Sequence, residues 1–191
     1  NLPVFSYVIT ADVTDINGET RTATTTVNVG YHAMTANILL NEPLNKANAE
    51  NTITVTTQNL NGQKVSAKGM LKMYKLQAPE HVLRPRPWEA PDYQYWNKSD
   101  LKKLFPHEAY RQEHSVESWE KGTLVFETEF DTGKSESIEL PNLKKWETGS
   151  YLIEVESTDV FGQQVTAKTI SKLMHPKAKS LPDNQLFHVE T

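Results

Sequence analysis

A hairpin pattern that occurs three times constrains this chain more than any other feature. In residues 151–168, YLIEVESTDVFGQQVTAK, the side chains of Tyr151, Ile153 and Val155 alternate with Leu152, Glu154 and Glu156. That period of two puts one set on a single face of a strand, ready for burial. Asp159 and Gly162 bracket a turn, after which Val165, Ala167 and Thr169 resume the alternation. Residues 7–25, YVITADVTDINGETRTATT, share the Tyr, Ile, Thr-Asp, Gly, Thr-Ala and Thr positions at a constant offset, and residues 57–68, TQNLNGQKVSAK, match the turn and the return strand. Three copies of one hairpin imply repeated domains.

The copies also decide between turn types. Asn17-Gly18 and Asn61-Gly62 alone suggest a two-residue type I′ turn. Phe161 occupies the equivalent of Asn17, and a positive φ there is costly for a bulky side chain. A type I turn with Asp15, Asn59 or Asp159 at its first position, and Gly18, Gly62 or Gly162 left-handed in a bulge, suits all three.

The 191 residues allow one large or two ordinary domains. Hydrophobic residues at 37% and charged residues at 23% are globular values, which argues against extended disorder. A net charge of −4 gives no basis for nucleic-acid binding, and no apolar run approaches the roughly 18 residues of a membrane span. With no cysteine, disulfides, thiolate metal sites, cysteine nucleophiles and thioesters are excluded from this stretch. Asn1 opens without an initiator Met or a signal pattern, so the sequence reads as an internal fragment.

The first hairpin spans 5–13 and 20–29, either ending a preceding domain or adding two strands to the next sheet. From 36 to 174 seven strands are expected, at 36–40, 52–58, 63–76, 123–130, 135–140, 150–158 and 163–173, punctuated by Asn41-Glu42-Pro43, Asp131-Thr132-Gly133 and Pro141-Asn142. Short alternating strands at this density predict an all-β fold, a seven-stranded antiparallel immunoglobulin-like sandwich. A long insertion interrupts it at 77–121. It opens with Pro79, Pro85, Pro87 and Pro91, and a short helix is predicted after Ser99 as N-cap, with Leu101, Leu104 and Phe105 as its apolar face. The tail, 176–191, ends in a strand opening at 185–189.

Catalytic chemistry finds no support. Asp131-Thr132-Gly133-Lys134-Ser135 resembles the end of a phosphate loop, but position 128 is Thr and a strand follows. His107, Glu108, Glu113 and His114 have no standard metal spacing. No catalytic residue, cofactor or metal ligand is therefore assigned. Trp88, Tyr93, Tyr95 and Trp96 are the candidate contact residues: they either pack the insertion onto the sandwich or meet a partner, since exposed aromatics stack on sugars or anchor proteins. Asn97-Lys98-Ser99 matches an N-glycosylation acceptor.

The repeated hairpin, the run Leu140-Pro141-Asn142-Leu143 leading through Trp146 and Gly149 to Tyr151, and the insertion PWEAPDYQYWNKSDLKKLFPHEAY together resemble bacterial α2-macroglobulin-like proteins, the large ones of the Bacteroides group above all. The resemblance covers most of the chain. It implies a string of macroglobulin domains in a long exported protein of the bacterial cell envelope, in the periplasm or at the cell surface. On that basis 1–31 would be the closing hairpin of a preceding macroglobulin-like domain, 33–175 a macroglobulin domain with its insertion at 77–121, and 176–191 a linker and the first strand of the next. The family traps proteases through a bait segment and often a Cys-Gln thioester, neither of which is assignable here. The expected partners are neighbouring domains of the same polypeptide and target proteases. The alternative is a carbohydrate-binding or adhesion module of a surface protein, because sandwich architecture does not fix function.

Overall fold

A computed structural model of the chain describes residues 3–40, 43–48, 50–84, 88–89, 91–179 and 181–184. The protein is mostly β. Strands β1 (Val4–Thr14) and β2 (Thr20–Gly30) form a two-stranded sheet of their own. Eight more follow: β3 (Met34–Leu40), β4 (Leu44–Asn45), β5 (Thr52–Asn59), β6 (Lys68–Leu76), β7 (Lys121–Asp131), β8 (Ser137–Glu139), β9 (Gly149–Thr158) and β10 (Gln164–Met174). They make a five-stranded sheet, ordered β4-β10-β9-β6-β7, and a three-stranded sheet, β3-β5-β8. Neighbours are antiparallel except for the short parallel pairing of β4 with β10.

The alternation in the sequence becomes the core between these sheets. Ile53 and Val55 of β5 meet Leu71 and Met73 of β6 and Tyr151, Ile153 and Val155 of β9, all between 0 and 1% exposed. Leu44, Leu173, Leu140 and Leu143 close the ends of the cluster. Each aliphatic side chain buried this way contributes about 1.5–3 kcal/mol of transfer free energy.

Several expectations need correction. An eighth strand, β4, appears because Leu44 is buried beside Leu173, a pairing two residues long that no periodicity can announce. The strand expected over 63–76 begins at Lys68, because residues 63–67 leave β5 and cross to the other sheet. The Val65 N–H still donates to the Thr57 carbonyl (3.0 Å), and the Ala67 N–H donates to Thr132 Oγ1 (2.9 Å). The middle copy of the hairpin thus places its two strands, β5 and β6, in different sheets. Its return strand β6 pairs with the outgoing strand β9 of the third copy, from Gly69 opposite Ser157 to Lys75 opposite Tyr151. The strand expected at 135–140 shortens to β8. Asp131-Thr132-Gly133 is a turn, with Gly133 N–H donating to Asp131 Oδ1 (3.0 Å).

In the insertion, helix α1 (Lys98–Leu104) is capped by Asn97 rather than Ser99. Asn97 Oδ1 accepts the Asp100 N–H (2.9 Å), the N-cap bond, while Asn97 Nδ2 donates to Asp100 Oδ2 (2.6 Å) and fixes the capping side chain in place. Both polar atoms of Asn97, the residue of the glycosylation motif, are used in that cap. Of the expected apolar face only Leu101 is buried, whereas Leu104 and Phe105 are exposed. Asn41, Glu42, Pro85, Pro87 and the strand expected at 185–189 lie outside the described residues.

Candidate functional site

The three turns share one construction. Gly18, Gly62 and Gly162 have φ of +85°, +82° and +80°, and their N–H groups donate to the carbonyls of Asp15, Asn59 and Asp159 at 3.0–3.1 Å. The first-position side chain does the rest. Asp15 Oδ1 accepts from Asn17 and Glu19, Asn59 Oδ1 from Asn61 and Gln63, and Asp159 Oδ1 from Phe161 and Gln163, all at 2.8–3.0 Å. This is an Asx turn inside a type I turn with a glycine bulge, and it explains why Phe161 is tolerated in the third copy.

Two of these turns hold the first hairpin to the sandwich. Asn28, near the end of β2, donates its N–H to Asn61 Oδ1 (2.7 Å) and its Nδ2 to the Leu60 carbonyl (3.1 Å), while its own Oδ1 accepts from Ser6 Oγ (2.7 Å). Leu60 fills the space over Gly30, where a Cβ would come within 3.0 Å of its Cδ1. At the β9–β10 turn, Asp159 Oδ2 accepts the Ala33 N–H (2.9 Å) from the segment joining β2 to β3. The Ala33 N–H, with the N–H donors of Gln163 and Phe161 and the nearby His32, holds the Asp159 carboxyl below the usual carboxylate range against the opposing effect of burial. An acceptor kept ionised is a strong partner for backbone N–H groups. His32 Nδ1 is buried there without a hydrogen-bond partner.

The opposite end of the sandwich has a second joint. Asp183, in left-handed backbone with φ of +61°, reaches Lys75 Nζ (2.8 Å) and accepts the Ser150 N–H; its side chain is 6% exposed. Asn184 beside it donates to the carbonyls of Pro79 (3.2 Å) and Glu80 (3.1 Å) at the root of the insertion. Lys75 also lies 5.5 Å from the centre of the Tyr151 ring, whose hydroxyl donates to the Glu147 carbonyl (2.7 Å). Burial, then the charges of Glu147 and Asp183, push the Tyr151 phenol up to about 12.

Between the joints, the outer face of the five-stranded sheet carries paired charges beside Met70, Tyr74, Leu152 and Ile170, which share that face by register. Glu154 of β9, 5% exposed at its side chain, is held by Lys121 (2.5 Å) and Lys168 (2.8 Å), and Lys72 pairs with Glu156 (2.7 Å). Burial pulls the Glu154 carboxyl up, but the hydrogen bonds and charges of the two lysines outweigh it and leave it below its ordinary value.

The aromatics singled out from the sequence do not pack onto the core. Trp88, Tyr93 and Tyr95 are 72–81% exposed and Trp96 is 40% exposed, with Tyr95 and Trp96 edge to face at 5.0 Å. His107, Glu108 and Glu113 serve local contacts instead, to the Val82 carbonyl, Arg84 and the Arg111 N–H. Among the described residues no group of three His, Cys, Asp or Glu is placed to hold a metal ion, and no helix is long and apolar enough to cross a membrane. An open groove of about 510 Å³ between β3 and β10 has Lys168 as its single ionisable lining residue.

Sequence reasoning found the turn residues but missed what they grip. Asn28 and Ala33 carry no periodic signal, and only the Pro-Asp-Asn run hinted at a turn around Asp183. No protein-family model, no curated protein and no solved structure matches this chain.

Proposed function

We propose that this chain is a non-catalytic scaffold segment of a large exported α2-macroglobulin-like protein of the bacterial envelope, part of a conformational protease trap. On this reading the sandwich is a seven-stranded macroglobulin domain with β4 as an addition, its partly helical insertion at 77–121 is a family feature, and its partners are neighbouring domains and, through them, target proteases. The observation that carries the reading is the repeated hairpin: one copy closes the sandwich while another stands outside it, gripped at Asn28 and Ala33. A segment built to support or transmit conformational change needs such fixed joints at its ends.

A carbohydrate-binding or adhesion module is the second reading, favoured by the exposure of Trp88, Tyr93 and Tyr95 on the insertion. Titrating polysaccharides against tryptophan fluorescence separates the two. The scaffold reading expects no saturable change. A saturable change that Trp96→Ala abolishes moves the assignment to sugar binding. Further sandwich domains and a Cys-Gln thioester in the remainder of the encoded polypeptide would support the trap.

A further inference from the structure

The β1–β2 hairpin is amphipathic, and its apolar face is bare. Directly paired residues share a face, so Phe5 with Val29, Tyr7 with Val27, Ile9 with Thr25 and Ala11 with Ala23 form one side, continued by Val13. The other side sets Val4 and Val8 among Ser6, Asn28, Thr26, Thr10, Thr24, Asp12 and Thr22, and is tied by hydroxyl contacts such as Thr14 to Thr20 (2.8 Å). Phe5, Tyr7, Ile9 and Val13 are 52–68% exposed. Eleven residues per strand at about 3.4 Å each, on two strands about 4.8 Å apart, give a face of roughly 37 by 10 Å. Exposed apolar patches of that size mark interaction sites, and an isolated two-stranded hairpin is marginal without cover.

The third copy of the hairpin shows what cover fits. At an offset of 144 (151 − 7), Tyr7, Ile9 and Ala11 correspond to Tyr151, Ile153 and Val155, which are 0–1% exposed beneath Ile53 and Val55 of the three-stranded sheet. Val29 likewise corresponds to Leu173, buried in the same core. In this sandwich that sheet is already occupied by β9 and β10. We infer that the Tyr7, Ile9, Ala11 and Val29 face of β1–β2 is a docking surface for a second β-sheet with a branched-aliphatic inner face, built like β3-β5-β8, and that the hairpin closes a second sandwich. The turn contacts at Asn61 and Asp159 then fix the angle between that sandwich and this one. The inference stands on the internal repeat and does not require the protease-trap reading.

The test uses the full chain. Replacing residues 151–158 with the sequence of residues 7–14 makes five changes (L152V, E154T, V155A, E156D, S157V) and places β1 under β3-β5-β8. Cooperative thermal unfolding is expected to persist in this chimera and to be lost when Tyr151→Thr and Ile153→Thr are added. Equal loss in both, or retention in both, overturns the inference. In the unaltered chain, anilinonaphthalene sulfonate fluorescence should fall several-fold on Tyr7→Thr with Ile9→Thr, and no change would overturn it. A dimer in sedimentation equilibrium that Ile9→Lys dissociates would assign the face to a second copy and overturn it as well.

Discussion

Gly69→Ala tests the seam on which the sandwich depends. Gly69 sits in β6 opposite both Phe130 of β7 and Ser157 of β9. A Cβ built there lies 2.1 Å from the Glu156 carbonyl oxygen and 2.8 Å from two carbons of the Phe130 ring. The ring can turn, but the carbonyl belongs to the backbone, so β6 and β9 must separate by about an ångström and weaken the ladder between them. Overpacking costs about 1–3 kcal/mol and each weakened hydrogen bond about 1 more, giving about 3–5 kcal/mol. At roughly 2–4 °C per kcal/mol for a chain of this size, Tm should drop by about 6–20 °C. Gly62→Ala is the control: its Cβ meets nothing within 4 Å, but φ of +82° makes alanine cost about 1–2 kcal/mol. Thermal unfolding followed by circular dichroism decides. If Gly69→Ala loses no more than Gly62→Ala, the close approach is not what makes glycine necessary at 69.

Three further outcomes follow from charge and burial. The Tyr151 phenol, raised to about 12, leaves stability intact below pH 10 and removes it as pH climbs toward 12, because the unfolded chain ionises first; the Tm gap between the chain and Tyr151→Phe should shrink over that window. Glu154 has a depressed folded pKa, so its contribution is present above pH 4.5 and fades as pH falls; Glu154→Gln should lower Tm at pH 7 by a margin that narrows as pH falls below 4.5, whereas a pH-independent difference would contradict the pairing. Asp183→Ala should speed hydrogen exchange at the Ser150 amide and tryptic cleavage after Lys177 or Lys179, with a stability loss of about 1–3 kcal/mol; unchanged exchange would mean the tail is not docked there.

Local chemistry was the legible part of this sequence. Asp15, Asn59 and Asp159 each build a turn with the glycine three residues on, and Tyr151, Ile153 and Val155 announce a buried face by their spacing alone. The reading failed where tertiary contact decides. Nothing near Lys68 says that β6 leaves its hairpin partner for another sheet, since the sheet change at 63–67 depends on Thr57 meeting Thr132, 75 positions away. Ser99 looked like an N-cap by type, but Asn97 had the matching Asp100 three residues later. The joint at Asn28 and Asn61 joins residues 33 apart with no shared pattern, so only the folded chain reveals it.

The two aspartates that fasten this sandwich sit at opposite ends of one strand. Ser150, which donates to Asp183, is the second residue of β9, and Asp159, which accepts from Ala33, follows directly after the strand. Nine residues of extended chain, about 30 Å, separate them. A pull applied between the two joints would run along β9, whose hydrogen bonds to β6 and β10 lie across that axis. They would be loaded together in shear rather than peeled one at a time, so the module would behave as a stiff strut and yield first at its fastenings.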